Sequence, residues 1–485
     1  MKKIFNFTIA IFVTLLVFSG CQDKTDLTAP TLNPKSGNAD LTRFVTIGNS
    51  LTAGYQSGSL YQSAQIYAFG NQIAKQVGTT FEEPLISDPG TAGRLEIKSF
   101  NLATNQIDIY ANPNQGTPTN SAYSKPYNNL GIPDALLYDV VNATSSSNCA
   151  SALFANKPNP LFDLILRGHG SQFAQAKALQ PTFVTVWIGN NDVLGFASSG
   201  GFSPSSPTPT QQFQGLYAQL VDSLKTLNKS FGTNIVVANI PDVDAIPYFT
   251  TVGPLVAMET PWSAIKLLGA PGIIYQQHGE TIASGVADSL SLLTGKLLMT
   301  LPAINYATLI GKPTGQFYRD NHYPALPPGI DTTKPFGLHP QNPWPDALIL
   351  DASEITTTEN TIAAYNSTIS SLANANGFGL VDINAFLNSI RQKDFTGGIV
   401  FNGVHFSTTF ITGGIFGLDG VHPTDQGQAL IANEFIKVIN NKFGASIPLI
   451  DVGTVPSSII LAKKNMYNGI LLPHFAPGAF NHVLY

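Results

Sequence analysis

Four short apolar segments, separated by stretches with helical periodicity, constrain the fold of this chain more than any other feature. RFVTIG, FVTVWIG, NIVVANI and FGLVDIN are short, rich in β-branched residues and bounded by polar loops. Continuous apolar runs of this kind are typical of strands that are buried on both faces. Strands that alternate with helices predict a mainly parallel sheet with helices packed on both faces.

The helices between these strands have recognisable starts and stops. Ser171 can cap a helix that runs to about Leu179, and Pro181 stops it before the strand FVTVWIG. QQFQGLYAQLVDSLKTLN carries its apolar residues on one stripe, as an amphipathic helix does. Helices are also predicted for ENTIAAYNSTISSLANANGF, AFLNSIRQ and HPTDQGQALIANEFIKVINNKF, with Pro423 in the first turn of the last one.

The N-terminus predicts export. Two lysines precede a short apolar run and the sequence FSGC, so residues 1–20 are interpreted as a signal peptide. Cys21 after Ser-Gly resembles the lipidated cysteine of bacterial lipoproteins, although Phe18 stands where leucine is usual. An ordinary signal peptide with a chance cysteine is the alternative. With lipidation, the chain is predicted to be an outer-membrane lipoprotein that faces the periplasm or the exterior, anchored by acyl chains such as palmitate.

The remaining chain divides by composition. Residues 21–42 are polar and contain proline, which predicts a flexible tether, and residues 43–445 are expected to form the folded domain. Segments at about 56–127 and 246–350, rich in small polar residues, Gly and Pro, are interpreted as insertions. Residues 446–485 show no clear period and receive no assignment.

Charge and cysteine content exclude several classes of protein. Only 11% of the residues are charged and the net charge is −5, so no basic nucleic-acid footprint is present. No cysteine–histidine spacing of a metal site is found, and neither a metal nor another cofactor is expected. If Cys21 is lipidated, Cys149 is the only other cysteine, so no intramolecular disulfide can form.

Polar residues follow the predicted strands at the edge where ligands bind in parallel α/β sheets. RFVTIG leads into Ser50 and FVTVWIG leads into Asn191, while Asp419 and His422 lie just before the last helix. A serine at a strand-to-helix turn is a weak nucleophile unless a base such as His422 takes its proton. Asp419 can orient that histidine and stabilise the imidazolium. The pattern therefore indicates acyl transfer.

These residues lie in three motifs that resemble the GDSL, or SGNH, hydrolase family. GNSLTAG is similar to the family's nucleophile block, GNND to its Gly-X-Asn-Asp block, and DGVH to its Asp-X-X-His block, in the family's order. The resemblance implies Ser50 as nucleophile, His422 as base and Asp419 as its partner. It also implies a three-layer α/β/α sandwich, with a flavodoxin-like, mostly parallel sheet and large loop insertions.

The resemblance further implies an oxyanion hole. Its donors are expected to be the Ser50 N–H, the Asn191 amide and a glycine N–H, for which Gly131 in NNLGIPDA is the best match and Gly93 the rival. One residue departs from the family pattern, because Asn49 replaces the aspartate before the nucleophile. That aspartate is not a member of the triad, so activity is expected to persist.

Other interpretations of the same residues are weaker. An α/β-hydrolase elbow needs glycine where Thr52 stands, and GHGSQ imitates such an elbow although its Ser171 suits a helix cap better. His405 could be a second histidine of the site, but packing in a loop or core is the more common role of such a residue.

The sequence thus predicts a lipid-anchored, exported serine ester hydrolase that acts through an acyl-serine intermediate. An esterase, lipase or carbohydrate esterase would each fit, with an acylated lipid or glycan as the substrate. One alternative is an acyltransferase that uses the same triad. The other is a surface-binding lipoprotein without turnover, which would have no need of Ser50, Asp419 and His422 together.

Overall fold

The computed structural model describes residues 35–101, 106–201, 206–267, 269–277, 285–457 and 472–480. The predicted signal peptide, Cys21 and most of the predicted tether lie outside these ranges. Within the ranges, no helix has both the length and the apolar character needed to cross a bilayer.

Short strands build several sheets around one central sheet. In chain order, the strands are β1 Phe44–Gly48, β2 Leu95–Asn101, β3 Gln106–Ala111, β4 Asn129–Gly131, β5 Phe183–Trp187, β6 Asn234–Ala238, β7 Ile273–Tyr275, β8 Gly285–Ala287, β9 Leu298–Met299, β10 Ile349–Leu350, β11 Gly379–Val381, β12 Ile399–Phe401, β13 Val404–Phe406 and β14 Leu472–Phe475.

The central sheet has five parallel strands in the order β4-β1-β5-β6-β11. Numbered along the chain within this sheet alone, the order is 2-1-3-4-5, which is the flavodoxin-like arrangement. Every residue of β1 and of β5 is buried, as their continuous apolar sequences predict. The predicted fold class is confirmed.

Helices cover both faces of this sheet. The α-helices of the described ranges, including those of the two insertions, span Ser50–Ala53, Gln62–Gln65, Phe69–Val77, Asp139–Asn142, Ala150–Ala155, Leu161–Leu166, Gln172–Ala178, Asn191–Ser198, Thr210–Phe231, Pro247–Thr250, Val252–Glu259, Trp262–Leu267, Ser289–Leu293, Ile304–Ala307, Gln316–Asp320, Ala352–Ala375, Ile383–Arg391 and Asp425–Phe443. Phe69–Val77 packs with Asp425–Phe443 in one layer, and Thr210–Phe231 packs with Ala352–Ala375 in the other. Within the first layer the rings of Phe69 and Phe435 are stacked with centroids 4.6 Å apart.

The two regions interpreted as insertions contain regular structure. The first holds helix Phe69–Val77, which belongs to a layer of the core, and the antiparallel pair β2–β3. The C-terminal strand β14 pairs with β3 in parallel, so it adds a third strand to that small sheet. The second region, 246–350, consists of short helices and the two-stranded pairs β7–β8 and β9–β10.

Two local predictions differ from the structure. No strand is predicted at Asn129–Gly131, yet this segment forms the edge strand β4, which is too short and too polar to show a strand pattern. Pro423 lies before the last helix rather than in its first turn, because Thr424 is the N-cap and its hydroxyl accepts from the Gly427 N–H at 3.0 Å.

Candidate active site

The predicted nucleophile lies in a tight turn between β1 and the short helix Ser50–Ala53. The Asn49 side-chain oxygen caps that helix by accepting from the Leu51 N–H at 3.1 Å. Gly48 permits the turn, since a Cβ there would lie 2.4 Å from the Trp187 carbonyl oxygen of the neighbouring strand. Ser50 is only 6% exposed, and its N–H donates to no atom of the described residues. The turn therefore holds both the hydroxyl and a free main-chain donor at the edge of the sheet.

Asp419 and His422 form a buried pair. His422 Nδ1 lies 3.0 Å from Asp419 Oδ2, and Asp419 Oδ1 accepts from the main-chain N–H groups of Val421 at 2.9 Å and of His422 at 2.8 Å. A fourth donor, the Gly58 N–H, reaches Oδ2 at 2.8 Å. Four donors thus fix this carboxylate, and it in turn fixes the imidazole.

Electrostatics keep Asp419 ionised although it is fully buried. Burial alone would raise the pKa of Asp419, but attraction to the imidazolium form of His422 and the hydrogen bonds from His422 and Val421 outweigh it. The pKa of Asp419 is therefore lower than its ordinary value. The ring of Tyr55 packs edge-on against the His422 ring with centroids 4.7 Å apart, which restricts the ring's motion further.

Ser50, Asn191 and His422 line a single cavity of about 430 Å³. Asn191 begins the helix that follows β5, and its side-chain amide donates to the Ala135 carbonyl at 3.0 Å. An amide group carries two hydrogens, so one stays available for a ligand. The structure therefore brings three of the predicted site residues to one cavity, and Asp419 reaches it through His422.

Asp192, the last residue of GNND, has a structural role. Its carboxylate accepts from the Leu137 N–H at 2.9 Å and from the Thr208 hydroxyl at 2.7 Å. Burial raises the pKa of Asp192 to about 6, and these hydrogen bonds limit the rise. The residue thus ties the loop after β4 to the Asn191 turn.

Gly131 lies beside the nucleophile helix, but it is not among the residues that line the cavity. A Cβ at this position would lie 2.3 Å from the Ala53 main-chain nitrogen, so the missing side chain allows close contact. Its N–H donates to the Asn129 side-chain oxygen at 3.0 Å. The rival Gly93 donates its N–H to the Asn112 carbonyl at 3.1 Å and also lies outside the lining. The oxyanion role of Gly131 stays a prediction.

A buried carboxyl supports the same region. Glu83 accepts from the side-chain amide of Asn129 at 3.1 Å, and that amide also donates to the Thr52 carbonyl at 2.9 Å. Burial raises the pKa of Glu83 to about 8, although the hydrogen bonds from Asn129 and Asn71 oppose the rise. Glu83 therefore enters the core largely as a neutral acid at pH 7.

Sequence reasoning missed most of the cavity wall. Region 246–350 contributes Tyr248, Tyr306, Phe317 and Asp320, and the C-terminal segment contributes Phe480. The first four lie in helices of only four or five residues, which are too short to show a periodicity that would reveal which side chains face a cavity.

The weaker alternatives acquire ordinary structural roles. Ser171 caps helix Gln172–Ala178 by accepting from the Ala174 N–H at 3.3 Å, and His405 is exposed in β13, outside the cavity lining. In the described ranges, no three His, Cys, Asp or Glu side chains are grouped so that they could hold a metal ion.

Comparisons with known proteins give a family match in the sequence and distant likenesses among solved structures. No curated protein matches the sequence. Among solved structures, a mutant of an acetyl-xylooligosaccharide esterase from Geobacillus Stearmophilus is 10% identical with a TM-score of 0.30, covering 82% of this chain and 93% of the other. A protein described as a GDSL-like lipase from Parabacteroides merdae is also 10% identical, with a TM-score of 0.31 and coverages of 83% and 99%.

A sequence profile gives the stronger result. The profile of GDSL-like lipases and acylhydrolases matches residues 44–290, about half of the chain. That range includes Ser50 and Asn191, whereas Asp419 and His422 lie beyond it. The chain therefore belongs to the GDSL-like lipase/acylhydrolase family.

Proposed function

We propose that this chain is an exported, lipid-anchored serine ester hydrolase that forms an acyl intermediate on Ser50. The observation that carries the proposal is that Ser50, Asn191 and His422 line one cavity. Asp419 is hydrogen-bonded to Nδ1 of that histidine. A nucleophile, a base oriented by a carboxylate and amide donors are the parts that acyl transfer requires.

The steps follow from the hydrogen bonds. With Nδ1 protonated for its bond to Asp419, Nε2 of His422 is free to accept the Ser50 proton as Oγ attacks the acyl carbonyl. The Asn191 amide and the Ser50 N–H stabilise the oxyanion that develops. His422 then gives the proton to the departing alcohol, and water repeats the sequence to release the acid.

The cavity lining favours an ester whose leaving group is a hydroxylated, uncharged alcohol. Aromatic rings of Tyr306 and Phe317 meet at 70° with centroids 5.5 Å apart, beside Asp320 and the amide of Asn305. Asn305, Asp320 and Asn321 in the same lining have polar side chains that can hydrogen-bond sugar hydroxyls. None of the described lining residues is Lys or Arg, which disfavours phosphate-bearing lipids. We therefore propose acylated glycans before phospholipids as substrates.

The first experiment tests turnover. Wild-type protein is expected to react covalently with a fluorophosphonate and to release p-nitrophenol from its acetate ester, and Ser50→Ala is expected to do neither. Ser171→Ala is the matched control, because it removes a serine hydroxyl from a helix cap outside the cavity. A wild type that neither labels nor hydrolyses any acyl ester would refute the enzyme proposal and favour the binding lipoprotein.

The second experiment tests the substrate. Acetylated sugars should be hydrolysed with a higher kcat/KM than phospholipids or long-chain p-nitrophenyl esters, and the reverse order would refute the glycan assignment. Added acceptor alcohols would reveal an acyltransferase if ester products exceeded free acid.

The third experiment tests the anchor. Cys21→Ala is expected to move the protein from the membrane fraction to the soluble fraction, because the acyl chains can no longer be attached. Cys149→Ala, the only other cysteine change the chain offers, should leave the distribution unaltered. Equal membrane association of wild type and Cys21→Ala would refute lipidation.

A further inference from the structure

The loop that follows β4 makes a tight turn at the cavity. The Ala135 N–H donates to the Ile132 carbonyl at 3.1 Å, so residues 132–135 form a hydrogen-bonded β-turn. Pro133 occupies its second position and Asp134, with φ of +63°, its third. Proline followed by a positive φ defines a type II turn, in which the third position is usually glycine. Asp134 therefore occupies a left-handed backbone conformation that is uncommon for residues other than glycine, and that aspartate tolerates better than most.

This turn is held against the predicted oxyanion site. Pro133 and Asp134 line the same cavity as Ser50 and Asn191. The Ala135 carbonyl accepts from the Asn191 amide, which fixes the turn beside that side chain. Backbone strain in proteins clusters at functional sites. The uncommon conformation of Asp134 lies directly at a cavity and is stabilised by a neighbouring amide, as expected of such a site.

The Asp134 N–H is available there. The turn's own hydrogen bond uses the Ala135 N–H, and the Asp134 N–H donates to no atom of the described residues. The N–H of Gly131, by contrast, is occupied by the Asn129 oxygen and lies outside the lining. Of these two positions, only Asp134 combines a free main-chain donor with a place on the cavity wall.

We propose that the main-chain N–H of Asp134 is the third oxyanion donor, together with the Ser50 N–H and the Asn191 amide. This assignment rests on the proposed function, and it gives the turn the role that was predicted for Gly131. The strained φ is then the cost of directing a main-chain N–H to the reacting oxygen. Glycine at position 134 would keep the donor and remove the strain.

The decisive experiment replaces one N–H at a time by an ester oxygen. Incorporating the α-hydroxy acid analogue of aspartate at position 134 of the full-length protein removes that donor and leaves the side chain unchanged. Loss of one oxyanion donor typically lowers kcat by about 10²–10³-fold, and we expect a loss of this size with KM altered much less. The matched control is the α-hydroxy analogue of glycine at position 131, which should lower kcat less than about tenfold.

The outcomes separate the possibilities. A position-134 ester that retains kcat within about threefold of the unmodified protein would overturn the assignment, and a large loss at position 131 alone would give the donor role to Gly131. Asp134→Gly provides a second test that needs no unusual residue, because glycine keeps the main-chain donor, so its kcat should exceed that of the position-134 ester by at least about tenfold. A large fall in kcat would assign the function to the carboxyl group instead. An unmodified protein without esterase activity would refute the proposed function itself.

Discussion

Replacing Asp419 by asparagine tests the most constrained hydrogen-bond arrangement in the site. Both carboxylate oxygens accept two N–H donors each, at 2.8–3.0 Å. Asparagine retains one oxygen, so its NH₂ group must face two of the four donors in either orientation. Hydrogen bonds to a charged group contribute about 1.5–3 kcal/mol each, so the loss of two predicts destabilisation of about 3–6 kcal/mol.

The effect on catalysis follows from the tautomer. If the amide nitrogen of asparagine faces the histidine, it can donate to Nδ1 only when the ring proton lies on Nε2. Nε2 must be unprotonated to accept the Ser50 proton, so this tautomer cannot act as the base. In serine-protease triads the equivalent change lowers kcat about 10⁴-fold, and we expect Asp419→Asn to do the same with p-nitrophenyl acetate. This loss corresponds to about 5.5 kcal/mol of transition-state stabilisation.

Asp425→Asn is the matched control. Asp425, the first residue of the last helix, is also a buried carboxyl, but burial raises its pKa to about 7. Among the hydrogen bonds of the described residues it makes none to the histidine ring. It should retain kcat within about tenfold of the wild type. Folding is checked by urea unfolding of both variants. A folded Asp419→Asn protein with kcat within tenfold of the wild type would refute the triad geometry.

The Asp419–His422 pair predicts that the stability of the protein depends on pH. Because the pKa of Asp419 is lowered in the folded state, its contribution is complete above the ordinary carboxyl pKa and is lost as pH falls through the folded-state value. The stability gap between wild type and Asp419→Asn should therefore narrow in acid. A gap that widens there would contradict the assignment of charge.

Three further substitutions test the support of the nucleophile turn. Burial raises the pKa of Glu83 to about 8, so wild-type stability should fall as pH rises from the ordinary carboxyl value towards 8. Glu83→Gln, neutral at every pH, should show a smaller fall in urea midpoint, because other buried carboxyls with raised pKa values, such as Asp192 and Asp425, still contribute. Asn49→Asp should keep kcat/KM within about tenfold, because aspartate can still accept a hydrogen bond from the Leu51 N–H. The amide nitrogen that is lost has no partner among the described residues. Gly131→Ala should lower both stability, by about 1–3 kcal/mol, and kcat, because its Cβ would overlap the helix that carries Ser50. Gly215→Ala, at an uncrowded helical position, should instead leave the melting temperature unchanged or raise it.

The sheet was predictable because its central strands are buried on both faces and their composition reports that burial. FVTIG and FVTVW are β1 and β5, and the polar residues that follow them meet at one edge because parallel strands end there together. β4 was missed, since three residues cannot establish a pattern and its Asn129 is polar for a specific contact with the nucleophile turn.

The cavity wall was not predictable from the sequence. Its residues come from region 246–350 and from the C-terminal segment, where the direction of a side chain is decided by long-range contacts rather than by local period. The strained Asp134 was equally hidden, because a type II turn normally signals itself by glycine at the third position. Its sequence, Ile-Pro-Asp-Ala, contains proline and aspartate, which favour turns in general, but not the glycine that marks a type II turn.

The hydrogen bond from the Gly58 N–H to Asp419 joins residues 361 positions apart, and it has a consequence for folding. During synthesis the serine emerges early, but the carboxylate and the histidine that activate it emerge near the end. Contacts between such distant residues form late, because a long loop must close before they are gained. The reactivity of Ser50 towards a fluorophosphonate would therefore report the completion of folding, and a time course of labelling during refolding would measure the final docking of the last helix.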